Sequence, residues 1–136
     1  MTKDDFLLEV NKLGISLNDN QIADLDNYAK FLLEYNEHTN LTAIKTITDV
    51  YLKHFYDSLT IVKNVDLNKV TTLLDIGTGA GFPGMVLKIC YPNLKITLLD
   101  SNNKKIAFLK ELSEKLSIDV EIIYDRAEVF VQNRRE

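Results

Sequence analysis

Residues 73–84 run Leu-Leu-Asp-Ile-Gly-Thr-Gly-Ala-Gly-Phe-Pro-Gly. An apolar run carries a carboxylate, Asp75, into a loop with glycines at 77, 79, 81 and 84. Without a Cβ, a glycine backbone turns tightly and can lie against a ligand. Strand, glycine-rich turn and helix is the usual entry to a nucleotide-type cofactor site. In one register, Gly79-Ala-Gly81-Phe-Pro-Gly84 is formally the G-x-G-x-x-G of a dinucleotide-dependent oxidoreductase, a weak pattern on its own. Asp75 counts against that register. A pyrophosphate sits over the glycine turn and the helix N-terminus, and a carboxylate two residues before the first glycine repels it. S-adenosylmethionine has no phosphate and carries a cationic sulfonium and an ammonium group, which a carboxylate attracts. The pattern suits S-adenosylmethionine, with Asp75, Gly77, Gly79 and Gly81 as cofactor-binding candidates.

A second half-site follows. Leu94-Lys-Ile-Thr-Leu-Leu-Asp100 is a short apolar run ending in a carboxylate 23 residues after Gly77. An acidic residue at the end of a second strand, about 20 residues on, can accept hydrogen bonds from ribose hydroxyls. Ser101 follows; it joins Asp100 as a cofactor-binding candidate and can cap the next helix. Other chemistries fit poorly. His54, Asp57 and Ser58 share one helical face at i, i+3 and i+4, but neighbours on one helix rarely align a nucleophile on an imidazole beside a separate oxyanion hole, and no Gly-x-Ser-x-Gly elbow is present. Two histidines and one cysteine cannot build a structural zinc cluster.

Further motifs occur in a fixed order: Asn40-Leu-Thr-Ala-Ile44, Lys53-His-Phe-Tyr-Asp-Ser-Leu59, the Gly-Ala-Gly-Phe-Pro-Gly loop, Asp100-Ser101, Lys104-Lys-Ile-Ala-Phe-Leu109 and Arg126-Ala-Glu128. Over nearly all 136 residues the chain resembles the bacterial small-subunit 16S rRNA guanine-N7 methyltransferases, the glucose-inhibited division protein B family. The resemblance implies a Rossmann-like class I S-adenosylmethionine-dependent methyltransferase sheet preceded by a helical cap. It implies that Gly77 and Phe82 touch S-adenosylmethionine and that Ala127 and Glu128 flank its adenine. It also implies the substrate, a guanine of 16S rRNA in the small ribosomal subunit. Guanine N7 already carries a free lone pair, so no catalytic acid or base is assigned. Members of that family continue for several strands beyond the Arg-Ala-Glu motif, with a loop arginine that helps close the site. This chain stops at Glu136, so it reads as an N-terminal portion, inactive alone, and the alternative of a non-catalytic interaction fragment stays open. In the full fold the first strand is implied to lie mid-sheet. With no fourth strand here, self-association through its open edge is expected.

Composition is that of an ordinary globular domain, 46% apolar and 26% charged, and 136 residues can bury a core as one structural unit. No apolar run approaches a membrane span and no signal segment opens the chain, so a cytoplasmic location without membrane attachment is expected. Cys90 reads as a buried structural thiol. A net charge of −4 argues against simple RNA binding. The local basic groups, Lys53-His54, Lys104-Lys105, Arg126 and Arg134-Arg135, read as solvated faces. The expectation of RNA therefore comes from the resemblance alone.

These site residues need elements to hold them. Residues 1–65 read as helical. Thr2 with Asp5 opens the first helix, striped by Phe6, Leu7, Val10 and Leu13 and ended by Gly14. Asn18 with Gln21 opens a second, with Ile22, Leu25, Ala29, Leu32 and Asn36 on one face. Asn36 to Asn40 is a polar break, and a less regular helix covers about 48–64. Residues 69–136 read as the incomplete α/β domain, with strands at 70–76, 94–99 and 120–124 and helices at 83–91 and 102–116. The first strand is apolar throughout, as if covered on both faces. Alternating strands and helices imply a parallel sheet. Asp66-Leu-Asn-Lys69 is the expected hinge.

Overall fold

The computed structural model describes residues 1–133; Arg134 and Arg135 lie outside them. Both predicted capping boxes are present. Thr2 and Asp5 exchange side chain-to-backbone bonds at the start of α1 (Lys3–Lys12), and Asn18 and Gln21 do so at the start of α2 (Asp19–Asn36). Each pair satisfies two amides that a helix N-terminus leaves open. Gly14 ends the first helical turn-out at φ +85°, where other residues are strained.

The irregular third stretch is helical but not uniform. A short α3 (Ile47–Asp49) widens into a π-helical segment, Val50–Tyr56, then tightens through α4 (Asp57–Leu59) into a 3₁₀ turn, Thr60–Lys63. Its buried side chains Tyr51 and Phe55 pack with Phe6 of α1, and Phe55 also meets Tyr28 of α2. The expected hinge is pinned. Leu67–Lys69 forms a 3₁₀ turn, Asp66 accepts from the Asn68 amide at 3.0 Å, and Leu67 is buried.

The α/β part follows the predicted order through β1 (Thr72–Ile76), α5 (Gly84–Cys90), β2 (Lys95–Asp100), α6 (Asn103–Leu116) and β3 (Glu121–Tyr124), and a further helix that was not predicted, α7 (Ala127–Asn133), comes after it. The sheet is parallel in the order β1-β2-β3. One apolar core joins it to the helical region, drawing on Phe6, Leu32 and Phe55 as well as Leu87, Leu98 and Leu109. Cys90 is buried in it, and desolvation pushes its thiol pKa up to about 12. Among the described residues no helix is long and apolar enough to cross a membrane.

Two expectations need correction. The cap of α6 is Asn102, whose Oδ1 accepts from the amides of Lys104 and Lys105; Ser101 lies one residue too early. And β1 is not covered on both faces. Asp75 and its cross-strand partner Leu98 face Gly84 of α5. Because strand side chains alternate, Leu74 and Ile76 point the other way and stay 42% and 49% exposed. The outer edge of β1 has no partner among the described residues.

Candidate functional site

The glycine loop leaves β1 tied to the end of β2. The amides of Gly77 and Thr78 both donate to the Leu99 carbonyl, at 2.8 and 3.1 Å. The loop then folds back on itself, with the Gly81 and Phe82 amides donating to the Thr78 carbonyl, each at 3.0 Å. Its two ends meet at Asp75. There Oδ2 accepts from the Thr78 hydroxyl at 2.7 Å and from the Gly84 amide at 2.8 Å. Asp100 holds the middle. Its Oδ2 accepts from the Gly79 amide and its Oδ1 from the Asn102 amide, both at 2.8 Å.

The amides of Gly77, Thr78, Gly79, Gly81, Phe82 and Gly84 therefore all donate within the protein. A pyrophosphate needs such amides free to point at it. It would instead meet two buried or nearly buried carboxylates. The geometry is hostile to a dinucleotide phosphate and compatible with a cationic ligand.

The glycines divide into two kinds. A Cβ added at Gly77 or Gly79 meets nothing within 4 Å, although both have positive φ. Their backbone faces open space. At Gly81 and Gly84 the space is already taken by Tyr28, Met85, Leu98 and Asp75, so these two are required by packing.

Other predicted site residues gather at the carboxyl ends of the same strands. Asp100 ends β2, and the exposed Ser101 lines a cavity of about 270 Å³ with Tyr124, Asp125 and Arg126. Ala127 and Glu128 stand at the start of α7, which follows β3. The crevice at the carboxyl ends of parallel strands is where open α/β sheets hold ligands.

Phe82 is held from the helical region. It stacks with Tyr28 of α2 at 5.5 Å between ring centroids, with planes 5° apart, and with His54 of the π-helical segment at 4.1 Å and 4°. The Tyr28 hydroxyl donates to the Ala80 carbonyl. Sequence reasoning missed Tyr28. Tyr28 shares a helical face with Leu25 and Leu32, so the spacing marked it as inward-facing without saying what it would meet. No triad forms. The Ser58 hydroxyl donates to the His54 carbonyl, and His54 Nε2 is bonded to Thr42 Oγ1. Of the basic groups, Lys53 lies 3.9 Å from Asp49, and Lys104 and Arg126 are exposed.

Burial raises the pKa of Asp75 above the ordinary carboxylate range; its bonds from Thr78 and Gly84 oppose the rise, and the charge of Asp100 adds to it. A carboxyl that binds its proton more tightly when folded loses folding stability as pH rises from its unfolded pKa through its folded one. Asp75→Asn removes that loss. A single amide oxygen can accept both bonds that Oδ2 now accepts, so the variant should stay within about 1 kcal/mol of the parent. Relative to the parent, it should gain stability between acid and neutral pH. Denaturant melts at pH 4 and pH 7 check this, and a relative loss at pH 7 would mean that the charge itself holds the loop.

The sequence matches the rRNA small subunit methyltransferase G family over residues 21–136. Curated relatives named ribosomal RNA small subunit methyltransferase G include one from Bacillus velezensis, 47% identical over 98% of this chain and 56% of that protein. Another from Listeria innocua is 46% identical over 98% of this chain and 57% of that protein, and one from Bacillus subtilis is 45% identical over 98% and 56%. The chain spans somewhat more than half the length of these relatives. With a glycine loop built against phosphate, a carboxylate at the end of β2 and this similarity across almost its whole length, the chain belongs to the rRNA small subunit methyltransferase G family.

Proposed function

We propose that the protein binds S-adenosylmethionine across the carboxyl ends of β1, β2 and β3 and serves in methyl transfer to N7 of a guanine in 16S rRNA of the small ribosomal subunit, in the cytoplasm. The observation that carries the cofactor is the glycine loop, open above Gly77 and Gly79 with its amides turned inward onto Asp75, Asp100 and backbone carbonyls. Each Asp100 oxygen accepts one backbone bond, which leaves lone pairs for ribose hydroxyls. Gly77, Gly79, Gly81 and Phe82 would border the cofactor, with Ser101, Ala127 and Glu128 toward its adenine. Bound there, S-adenosylmethionine supplies a methyl group activated by its sulfonium. Guanine N7 needs no deprotonation, so the protein's part is alignment and exclusion of water. Asp75 beneath the loop favours a cation there over a phosphate.

Calorimetric titration with S-adenosylhomocysteine should give micromolar affinity, about −8 kcal/mol, and NADH should give no heat. The reverse result would overturn the cofactor. For the substrate, a strain lacking the gene should lose N7-methylguanine from 16S rRNA. Recognition would be of RNA shape and a splayed base. Unchanged N7-methylguanine content in that strain would remove the rRNA reading.

The β1 edge carries a prediction of its own. Leu74 and Ile76 lie exposed on a strand with an unpaired outer edge, and such edges recruit further strands. The 136-residue chain, with its helical region 1–65 and its α/β region 69–136 as one unit, should associate through β1 in solution. Light scattering checks this, and a monodisperse monomer at 100 μM with one cooperative melt would exclude it.

A further inference from the structure

Two sequence motifs, Asn40–Ile44 and Lys53–Leu59, supply none of the hydrogen bonds that close the glycine loop, yet the structure joins them at one side chain. Asn36, buried at the end of α2, holds the first motif. Its Oδ1 accepts from the amides of Leu41 and Thr42, at 2.8 and 3.0 Å, and its Nδ2 donates to the Thr42 carbonyl at 3.1 Å. Thr42 Oγ1, which also accepts from the Ile44 amide at 3.2 Å, meets His54 Nε2 at 2.9 Å. That bond fixes the plane of the imidazole. The plane is parallel to Phe82 to within 4°.

Phe82 is the one large side chain between Gly77 and Gly84. A loop with glycines at 77, 79 and 81 has much conformational freedom to lose, and contacts with the helical region restrain it at Ala80 and Phe82. The Tyr28 hydroxyl fixes the Ala80 carbonyl, and the rings of Tyr28 and His54 fix Phe82.

We infer that His54 is a positioning residue of the cofactor loop: its imidazole, oriented by Thr42, stacks on Phe82 and so holds the backbone from Gly79 to Phe82 in its ligand-ready form before any ligand arrives. The word cofactor rests on the reading given under Proposed function, whereas the positioning itself can be measured without ligand. On this account the Asn40–Ile44 segment acts at one remove, through Thr42.

The test uses His54→Phe, which keeps a flat ring and drops the bond to Thr42, and His54→Asn, which keeps a polar group and drops the ring. The first readout is amide hydrogen exchange in the ligand-free protein at Gly79, Gly81 and Phe82, whose amides are bonded to Asp100 or Thr78. His54→Asn should speed exchange at these amides about fivefold, the worth of one aromatic pair, and leave those of α6 unchanged. His54→Phe, which keeps the stack but loses the orienting bond from Thr42, should fall between the parent and His54→Asn. Phe82→Leu, which loses its ring contacts with Tyr28 and Phe55 as well, should speed exchange at least as much as His54→Asn, and adding His54→Asn to it should add nothing further. Equal behaviour of the Asn and Phe variants, or a rise shared equally by α6, would overturn the inference. The second readout is S-adenosylhomocysteine affinity, which should follow the same order. A parent that binds no S-adenosylhomocysteine but shows the exchange pattern would defeat the cofactor reading and leave the positioning intact. A parent that binds while the two variants match it in affinity and exchange would defeat the positioning alone.

Discussion

Gly79→Val should abolish measurable S-adenosylhomocysteine binding, a loss of at least about a hundredfold, or roughly 2.7 kcal/mol. Three effects add. Gly79 sits at φ +61°, where a β-branched residue is a genuine outlier and the strain alone is about 1–2 kcal/mol. A Cβ there meets no protein atom within 4 Å, so the two methyl groups of valine fill the space left for a ligand. And a shift of the backbone loosens the 2.8 Å bond from the Gly79 amide to Asp100, moving the carboxylate assigned to the ribose. Because a Cβ at this position meets no protein atom within 4 Å, the cost to folding should be mainly the strain and the loosened bond to Asp100, and the variant should still melt cooperatively. Gly79→Ala, with the same strain and one carbon, should lose less affinity. Calorimetry of both variants beside a thermal melt checks this. Valine at 79 binding as well as glycine would mean that the ligand does not lie over this loop.

The fold was legible where short-range physics decides it. Thr2 with Asp5 and Asn18 with Gln21 satisfy helix amides within one turn, and both helices begin where those pairs stand. The strands are apolar runs, and all three fall within two residues of their predicted starts. The third helical stretch was only half legible. Its wide turn at Val50–Tyr56 accompanies burial of Tyr51 and Phe55 against α1 and α2, and contacts between distant elements leave no periodic mark in the local sequence. The same is true of the covering of β1. An apolar run says that a strand can be buried on both faces, not that both faces are covered, and Leu74 and Ile76 are not.

For the site, residue types were legible and their partners were not. Asp75 and Asp100 stood out as carboxylates at strand ends, and the sequence pointed both at a ligand. The structure gives each a prior task. Asp75 closes the loop on itself through Thr78 and Gly84, and Asp100 holds Gly79. Those tasks depend on loop amides turning inward, which follows from the φ values at Gly77, Gly79 and Gly81 and cannot be read from glycine spacing. For His54 the spacing to Asp57 and Ser58 was enough to set a triad aside, but not to say what the ring would meet. Its working neighbours are Thr42 and Phe82, 12 and 28 residues away in the chain.

Gly81→Ala should have the opposite profile to Gly79→Val, a large loss of folding stability whatever binds. At φ +104° an alanine is strained by about 1–3 kcal/mol. Its Cβ would strike the Tyr28 hydroxyl and lie 2.9 Å from Met85 Cβ and 3.2 Å from Leu109 Cδ2. All three neighbours are fully buried, so none can swing into solvent, and overpacking of this kind costs about 1–3 kcal/mol. Tyr28 cannot retreat freely either, since its hydroxyl would leave the buried Ala80 carbonyl unpaired, at a further cost of about 1–3 kcal/mol. These terms overlap, and a total near 3–5 kcal/mol is a large part of the roughly 5–15 kcal/mol that stabilises a domain. The melting temperature should fall by about 10 °C or more. Gly77→Ala is the control. It carries φ +71° with nothing within 4 Å, so it should cost only about 1–2 kcal/mol. Adding Tyr28→Phe to Gly81→Ala tests the cause, because removing the hydroxyl takes away the first atom the methyl strikes. The double variant should be more stable than the sum of the two single losses. Strict additivity, or a Gly81→Ala variant melting within a few degrees of the parent, would show that α2 does not set the path of the loop at Gly81.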